Sequence, residues 1–417
     1  MKILFVTQCY PPELGAAQER LSAYAEYLAA VGHEVTVLTA HPSYQMKRRT
    51  ATRCGSLEWR NGVQVCRVPS VRAFGPGLVP RLASFLSFMA AAMAVGAARA
   101  RSERERPEAL FVETTPLFAG LAGRATGARA GAPVVYHVAD LWVDALEAFG
   151  FLRAGAPPLR ALRSLERRLY QEAAAVVTVT EGCRRKIIDA GAAPENVVVV
   201  PNGVNTEIYR PDAPRPVMPE WTGKFICLYA GTHGYIHAVD TVLGAAERLR
   251  HDRGILFTLL GGGSEKGALA VSARERGLHN VHFLPPRPPA ELAGCIARAD
   301  VALATLKDCA LSESALPVKM LTYLACGTPV LLSGRGVSAE VLGESRAGLC
   351  LEPEDPAALA AAILRLKADA ALRGRLAARG RAFVLGRYSR RKFAGQIAGV
   401  LEDAGRKRVT PGPRVEV

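Results

Sequence analysis

The stretch "PNGVNTEIYRPDAPRPVMPEWTG", Pro201 to Gly223, decides how the rest of the chain is divided. It is dense in Pro, Gly and Asn and carries no helical or strand period, so it reads as a connecting segment. On both sides of it, short β-branched runs alternate with helical stretches. KILFVT, EVTVLTA, ALFVET, PVVYHVA, AVVTVT and VVVVP precede it; FICLYAG, LFTLLGG, VHFLP, VALATL and PVLLS follow. Apolar runs of this kind suit strands buried on both faces, and their alternation with helices predicts two parallel sheets coated by helices. The expected fold class is α/β, with two doubly wound domains spanning residues 1–204 and 205–384 and the boundary near Asn205 to Pro219. Residues 406–417, which have no apolar face to bury, are expected to form a flexible tail.

A length of 417 residues suits two such domains, and 49% hydrophobic with 22% charged residues excludes a mostly disordered chain. The formal charge of +15 favours polyanionic partners. Nucleic acid is set aside because no aromatic-basic interleaving accompanies the charge. Phosphorylated substrates or an anionic membrane face remain. The nine cysteines include no CxxC pair and the chain opens directly on MKILFVT, so reduced thiols, a cytoplasmic location and no zinc site are expected. One segment, LASFLSFMAAAMAVGAA from Leu82 to Ala98, is Ala-rich and shorter than the ~20 strongly apolar residues a spanning helix needs. It reads either as a buried helix with a charged end or as a helix lying on an anionic membrane. In the second reading Arg72, Arg81, Arg99, Arg101, Arg104 and Arg106 assist.

Ligands of open parallel sheets collect beyond the carboxyl ends of the strands. A cleft between two such domains would hold one substrate on each wall. After the first strand, Pro11 and Pro12 end the run. Gly15 and Ala16 then leave room for close backbone approach at a helix start, where Gln18 also sits. In the second half, Gly231, Thr232 and Gly234 form a tight loop whose amides suit a diphosphate. Gly261 to Gly263 is either a ligand contact or a plain turn, because its spacing fits no phosphate-binding pattern. In SESALPVKMLTYLACGTPV, Ser312 to Val330, Pro317 starts a helix whose positive end, with Val318 and Lys319, favours phosphate. A lysine in a first helical turn is unfavourable unless an anion joins it.

Taken in order, KILFVTQCYPPELGAAQERL, GHEVTVLT, VYHVADLWVDAL, VVVVPNGVNTEIYRP, YAGTHG, LLGGGSEKGAL, NVHFLPP, ADVALATLK and TYLACGTPVLLS resemble the GT-B glycosyltransferases of family 4. Within that family the chain looks most like the branch that builds bacterial surface polysaccharides, including deoxy and amino sugar transferases. The resemblance implies two Rossmann-like domains facing a cleft, with a C-terminal helix, residues 385–405, packing back on the first domain. It also implies a retaining transferase that takes a sugar from a nucleoside-diphosphate sugar, needs no metal or other cofactor, and holds the donor in the second domain. The absence of a DxD motif agrees with the metal-free reading.

Several positions depart from the family pattern. Its paired glutamates fall at Ser314 and Thr322, where hydroxyls must serve. Its Arg and Lys fall at about Thr232 and His237, neither a permanent cation. Lys307 and Lys319 are therefore expected to carry the positive charge, with His237 able to donate a proton or a hydrogen bond. The family's His-Asp reads Ala139-Asp140 here. Asp140 matches the motif and is the expected contact to sugar or acceptor, with Asp144 a weaker second. His137 either substitutes for the missing histidine or is structural. Arg184 either reaches phosphate or sits in solvent. The acceptor side is expected at Gly15, Ala16, Gln18, His137 and Asp140; the donor side at Gly231, Thr232, Gly234, His237, Lys307, Ser314, Pro317, Val318, Lys319 and Thr322. The acceptor is either a lipid-linked glycan at the inner face of the membrane or a small natural-product molecule. Two other readings stay open at this point: a nucleotide-sugar 2-epimerase and a non-catalytic sugar-nucleotide-binding partner.

Overall fold

The computed structural model describes residues 1–42, 57–71 and 78–407. Arg72 and most of the expected tail lie outside the described residues. The chain divides into two compact units, Met1–Pro201 with Arg391–Val417, and Asn202–Arg390.

The first unit runs β1 (Lys2–Val6), α1 (Ala16–Ala30), β2 (Glu34–Ala40), β3 (Leu57–Arg60), β4 (Val63–Val68), α2 (Leu78–Arg101), β5 (Ala109–Glu113), α3 (Phe118–Ala130), β6 (Val134–Val138), α4 (Trp142–Ala148), α5 (Pro157–Gln171), β7 (Ala175–Thr178), α6 (Glu181–Asp189) and β8 (Val197–Val199). Its eight-stranded sheet has the order β3-β4-β2-β1-β5-β6-β7-β8. Every pairing is parallel except β3 with β4. The strand order reverses at β1, with Phe5 flanked by Val37 of β2 and Phe111 of β5. That reversal opens the strand ends at which ligands bind in such sheets.

The second unit runs β9 (Phe225–Ala230), α7 (Asp240–Arg248), β10 (Ile255–Leu260), α8 (Lys266–Glu275), β11 (Val281–Leu284), α9 (Pro289–Arg298), β12 (Val301–Thr305), α10 (Ala310–Glu313), α11 (Val318–Ala325), β13 (Val330–Ser333), α12 (Val337–Ser345), β14 (Gly348–Leu351), α13 (Pro356–Ala368) and α14 (Ala370–Arg387). Its sheet, β11-β10-β9-β12-β13-β14, is wholly parallel and reverses at β9. The C-terminal helix α15 (Arg390–Lys407) crosses back to the first unit. There a Cβ on Gly395 would sit 3.2 Å from Tyr27 Oη, and His33 faces Glu402 at 3.4 Å.

The connecting segment is not a loose linker. Tyr209 and Trp221 are among the largest fully buried side chains and join the second unit's core. Arg381 ties the segment down by donating to Tyr209 O at 2.9 Å and Thr206 O at 3.2 Å. A Cβ on Gly294 of α9 would lie 1.9 Å from Pro214 O, so only glycine lets the strap pass. Lack of periodicity marked a segment without regular structure, but burial of its two large aromatics makes it part of a core.

The helix around Leu82–Ala98 is longer than its apolar run. α2 spans 24 residues, and Pro80–Arg101 is long and apolar enough to cross a membrane by length and composition. Yet it packs on α3: Phe88 and Ala92 are fully buried, and a Cβ on Gly96 would lie 2.1 Å from Thr126 Oγ1. Its other face, Ala83, Leu86, Ala90, Ala94 and Ala98, is exposed. Of the predicted membrane cations, Arg99 is buried beside Glu105, and Arg106 donates to Ala130 O through both Nε and Nη2. Arg101 and Arg104 remain exposed.

Candidate active site

In the second unit, β9 ends in a sharp turn at Gly231, whose φ of 153° favours glycine. A Cβ there would meet Lys319 Cε at 3.0 Å and Nζ at 3.2 Å, so the missing side chain leaves the space the ammonium occupies. Lys319 Nζ donates to Tyr229 Oη at 2.5 Å, and Tyr229 Oη donates to Thr232 O at 2.6 Å. Tyr323, one helical turn beyond Lys319, brackets the Ala230 peptide, accepting from its N–H at 2.8 Å and donating to its C=O at 2.9 Å. The helix α11 thus fixes the loop through two side chains at i and i+4. Gly231 N and His233 N bond to Leu260 O at 2.9 Å and Gly262 O at 2.8 Å. The amides of Thr232 and Gly234 have no hydrogen-bond partner among the described residues. Alternate peptide N–H groups left open in a turn of this kind make a seat for an anion.

The electrostatics point the same way. Burial lowers the Lys319 ammonium to about 7. Burial, then Lys319 and His233, hold His237 well below its ordinary value. His233, fully enclosed under the loop beside Tyr229, is lowered to about 4 by burial and then by Lys266. No carboxylate contributes to any of these shifts. Basic groups crowded together without a counter-charge favour an anion among them. The N-terminus of α11 adds to the field: Pro317 is its cap residue, no side chain caps it, and no acid lies in its first turn.

In the first unit a buried ionic cluster joins three elements. Arg20 of α1 donates through Nη2 to Glu113 Oε2 at 3.4 Å, and His137 Nδ1 lies 2.7 Å from the same oxygen. Arg20, Glu113 and His137 are 5%, 3% and 0% exposed, so none of the three reaches solvent appreciably. Although burial works against its charge, His137 and Arg20 hold the Glu113 carboxyl below its ordinary value. Burial holds the His137 imidazole down, against the pull of Glu113. A neutral imidazole donating Nδ1–H to an ionised Glu113 satisfies both directions. Beyond β6 the chain reaches Asp140, which is exposed. Its carboxyl is raised by the mass of protein around it, with Arg20 opposing and Glu113 adding.

Residues 15–203 match the family described as "Glycosyl transferase 4-like domain", and residues 224–369 match "Glycosyl transferases group 1". The WcaI glycosyl transferase of Escherichia coli (strain K12), named for colanic acid biosynthesis, is 30% identical over 380 residues, covering 87% of this chain and 91% of its own. The chain belongs to the family 4 glycosyltransferases of GT-B fold. Solved structures agree on the fold. Sucrose-phosphate synthase from Thermosynechococcus elongatus superposes with a TM-score of 0.73 at 19% identity, covering 96% of this chain and 98% of its own. Anabaena HepE in complex with UDP-glucose gives 0.70 at 18%, covering 97% and 100%.

Within this glycosyltransferase the predicted site residues are placed unequally. Lys319 turns inward to the Gly231 loop, whereas Lys307 is exposed and its side chain makes no hydrogen bond or ion pair among the described residues. Of the two, only the Lys319 ammonium is bonded at the loop; the Lys307 backbone N–H donates to Ile236 O at 3.0 Å, beside His237, while its side chain is exposed. His237 lies at the loop too, its Nδ1 buried without a hydrogen-bond partner. With its pKa depressed it is neutral near pH 7, so it can donate a hydrogen bond through a ring N–H but holds no spare proton. The next residue, Ala238, has φ 40°, a strained value for a side chain with Cβ.

Ser314 and Thr322 are each 6% exposed, and their hydroxyls donate to Leu311 O at 3.3 Å and Lys319 O at 2.8 Å. Both serve the local backbone, and neither stands out as a ribose anchor. At Gly261 to Gly263 the backbone packs closely on the Gly231 loop: a Cβ on Gly261 would lie 1.9 Å from Gly231 O and one on Gly263 2.2 Å from His233 O. Gly15 caps α1, with Ala16 exposed, and a Cβ on Gly15 would meet Gln18 Oε1 at 2.4 Å. His137 is sealed in the core against Phe111, so it positions its surroundings and does not touch an acceptor. Arg184 is occupied by Val197 O at 3.2 Å and Pro194 O at 3.1 Å, which removes it from any phosphate. Asp144 pairs with Arg163 at 3.0 Å.

Sequence reasoning missed Tyr229, Tyr323, Arg20 and Glu113. Glu113 left a signal: it is the one charge closing the apolar run ALFVE. The tyrosines left none, since a tyrosine in an apolar run is ordinarily core.

Proposed function

We propose that this glycosyltransferase takes a sugar from a nucleoside-diphosphate donor seated on the second unit and passes it, with retained anomeric configuration and no metal, to a hydroxyl of an acceptor recognised by the first. One observation carries the donor site: Lys319 Nζ fills the space beside Gly231 while the Thr232 and Gly234 amides lack partners. The complex of HepE with UDP-glucose supports a nucleoside diphosphate as the donor class. In this reading the diphosphate lies on those amides and on the N-terminus of α11, and Lys319 meets the charge that develops on the leaving phosphate. In the low-dielectric cradle such a group can supply ~3 kcal/mol of transition-state stabilisation. The departing phosphate oxygen assists deprotonation of the acceptor, and Asp140 supports positive character at the anomeric carbon. The location that goes with this reading is the cytoplasm, where nucleotide sugars are made; that the eight described cysteines are all free supports it.

The test joins binding to product. Under a panel of UDP-, GDP-, dTDP- and ADP-sugars, one base should raise the melting temperature, by ~2.7 kcal/mol of added stability at about 100 times its dissociation constant. Asp140→Asn, at an exposed position, should keep that shift and lose transfer by about 100-fold. A product of inverted configuration, or full transfer by the variant, would overturn the mechanism.

The acceptor we propose is a lipid-linked glycan at the inner face of the cell membrane, reached through peripheral contact with anionic lipid. The likeness to WcaI, named for colanic acid biosynthesis, supports the glycan class. The exposed Ala83, Leu86, Ala90 and Ala94 face of α2, with Arg101 and Arg104, supports the contact. Leu86 is 41% exposed. Leu86→Glu should therefore cut sedimentation with phosphatidylglycerol vesicles several-fold without lowering the melting temperature. Undiminished sedimentation would return the choice to a small soluble acceptor.

A further inference from the structure

A second polar recess in the first unit takes no part in the reaction derived above. It has a volume of about 540 Å³ and lies between α5 and α6. Arg160, Arg163, Ser164 and Arg167 line it from α5 at i, i+3, i+4 and i+7, hence from one face of the helix, and Lys186 of α6 lines it too. The charges are unequally engaged. Arg163 is taken by Asp144 at 3.0 Å and Glu147 at 2.5 Å. Arg160 makes no side-chain hydrogen bond or ion pair among the described residues, and Arg167 spends only Nε, on Ala190 O at 3.3 Å. Two guanidinium forks are therefore available on one stripe.

Glu166, 7% exposed, also lines the recess and accepts from Tyr170 Oη at 3.1 Å. Burial pushes its carboxyl up to about 7, so it is partly protonated at neutral pH and repels an anion less than an ordinary glutamate would. Location supplies the second argument. Right-handed crossovers put α2, α3, α5 and α6 on one face of the sheet, and α3 touches both α2 and α5. The exposed apolar stripe of α2 and the recess, where Arg160, Arg163, Arg167 and Lys186 outnumber Asp144, Glu166 and Asp189 and Lys186 lies 3.9 Å from Asp144, therefore belong to one helical layer. A layer lying on a membrane needs both: apolar side chains to insert, and cations at headgroup depth.

We propose that the recess between α5 and α6 is a phosphate seat, in which Arg160 and Arg167 grip the headgroup phosphate of an anionic lipid. The lipid assignment rests on the peripheral-membrane reading above; the phosphate seat does not. Arginine suits the task because its planar fork matches phosphate oxygens two at a time.

The test compares full-length wild type, Arg160→Ala/Arg167→Ala and Leu86→Glu in sedimentation with phosphatidylcholine vesicles made with or without phosphatidylglycerol. Inorganic phosphate and glycerol 3-phosphate are titrated in parallel against the melting temperature. Each cation at an anionic surface contributes roughly a factor of five, so the double variant should lose on the order of 25-fold in binding to anionic vesicles. It should keep the wild-type melting temperature in buffer, and phosphate should stabilise wild type but not the double variant. Wild-type vesicle binding by the double variant, or equal binding to neutral and anionic vesicles, overturns the lipid seat. If wild type binds no vesicle but phosphate still stabilises it through Arg160 and Arg167, the membrane reading falls and the seat belongs to a soluble phosphate ester. If phosphate stabilises neither protein, the seat itself falls, whatever Leu86→Glu does.

Discussion

Lys319→Ala is expected to lower sugar transfer on the order of 100- to 1,000-fold, the usual loss when one preorganised group opposite a developing oxyanion is removed. The effect should be large because the Lys319 ammonium lies against Gly231, whereas Lys266 Nζ is spent on Gly261 O and Leu284 O, each at 2.7 Å, and the Lys307 side chain is exposed and unbonded. The pH dependence separates this role from a structural one. Empty, Lys319 titrates at about 7 because burial disfavours its charge. A diphosphate favours the charged form, so binding takes up a proton whenever the free lysine has lost it. Above about 7 the apparent KM for the donor should rise about tenfold per pH unit, until the pKa of the occupied site is reached. Lys319→Ala should abolish that slope as well as the rate.

Stability of the empty protein should move the other way. Between about 7 and the ordinary 10.5 of a free lysine, the unfolded chain binds the proton that the native state has released. Stability contributed by this group therefore rises with pH across that window. Urea unfolding of wild type and Lys319→Ala at several pH values reads the difference. Unchanged turnover in the variant, or a flat KM profile in wild type, would remove Lys319 from the mechanism.

Glu113→Ala is expected to cost ~3–5 kcal/mol of stability, the range for breaking a buried ion pair from one side. The deletion takes away the carboxylate that Arg20 Nη2 donates to at 3.4 Å and leaves His137 Nδ1–H without its acceptor at 2.7 Å. Arg20 and Glu113 together join α1 to β5, at the two sides of the strand-order reversal, so the loss should also loosen the loops that lead to Asp140. Acid should act in the same sense. Glu113 is held below its ordinary 4.5, so its contribution is present above that value and is lost as pH falls through the lowered native one. His137 is held below its ordinary 6.5, so the unfolded chain binds a proton first and stability begins to fall below 6.5. In Glu113→Ala the carboxylate part of this acid sensitivity should vanish. A variant as stable as wild type would mean that the cluster is not an energetic anchor of the first unit.

The strands were legible wherever burial made them continuously apolar. Each quoted run became a strand, whereas β3, β4 and β14 were not read. VQVCRV alternates apolar with polar residues, and β3 and β14 are edge strands with partly exposed positions. A strand covered on one side only does not need the apolar run that reveals a central one. In the candidate site, the local backbone was legible. Gly231, Thr232, Gly234 and the start of α11 were readable because a tight turn and a helix start each have a local residue code.

By itself, then, the sequence determined two parallel α/β sheets, their helical coats and the loops at their carboxyl edges. These follow from local periodicity and turn chemistry, which act over a few residues. Only the tertiary structure decided which charges serve those loops. Lys319 and Lys307 look alike in a sequence, and what separates them is that one ammonium folds onto Tyr229 while the other meets water. Arg20, Glu113 and His137 lie on three elements far apart in the chain, and their mutual attraction exists only once the sheet brings them together. Desolvation and Coulomb energy depend on distance in space, and sequence separation carries no information about either.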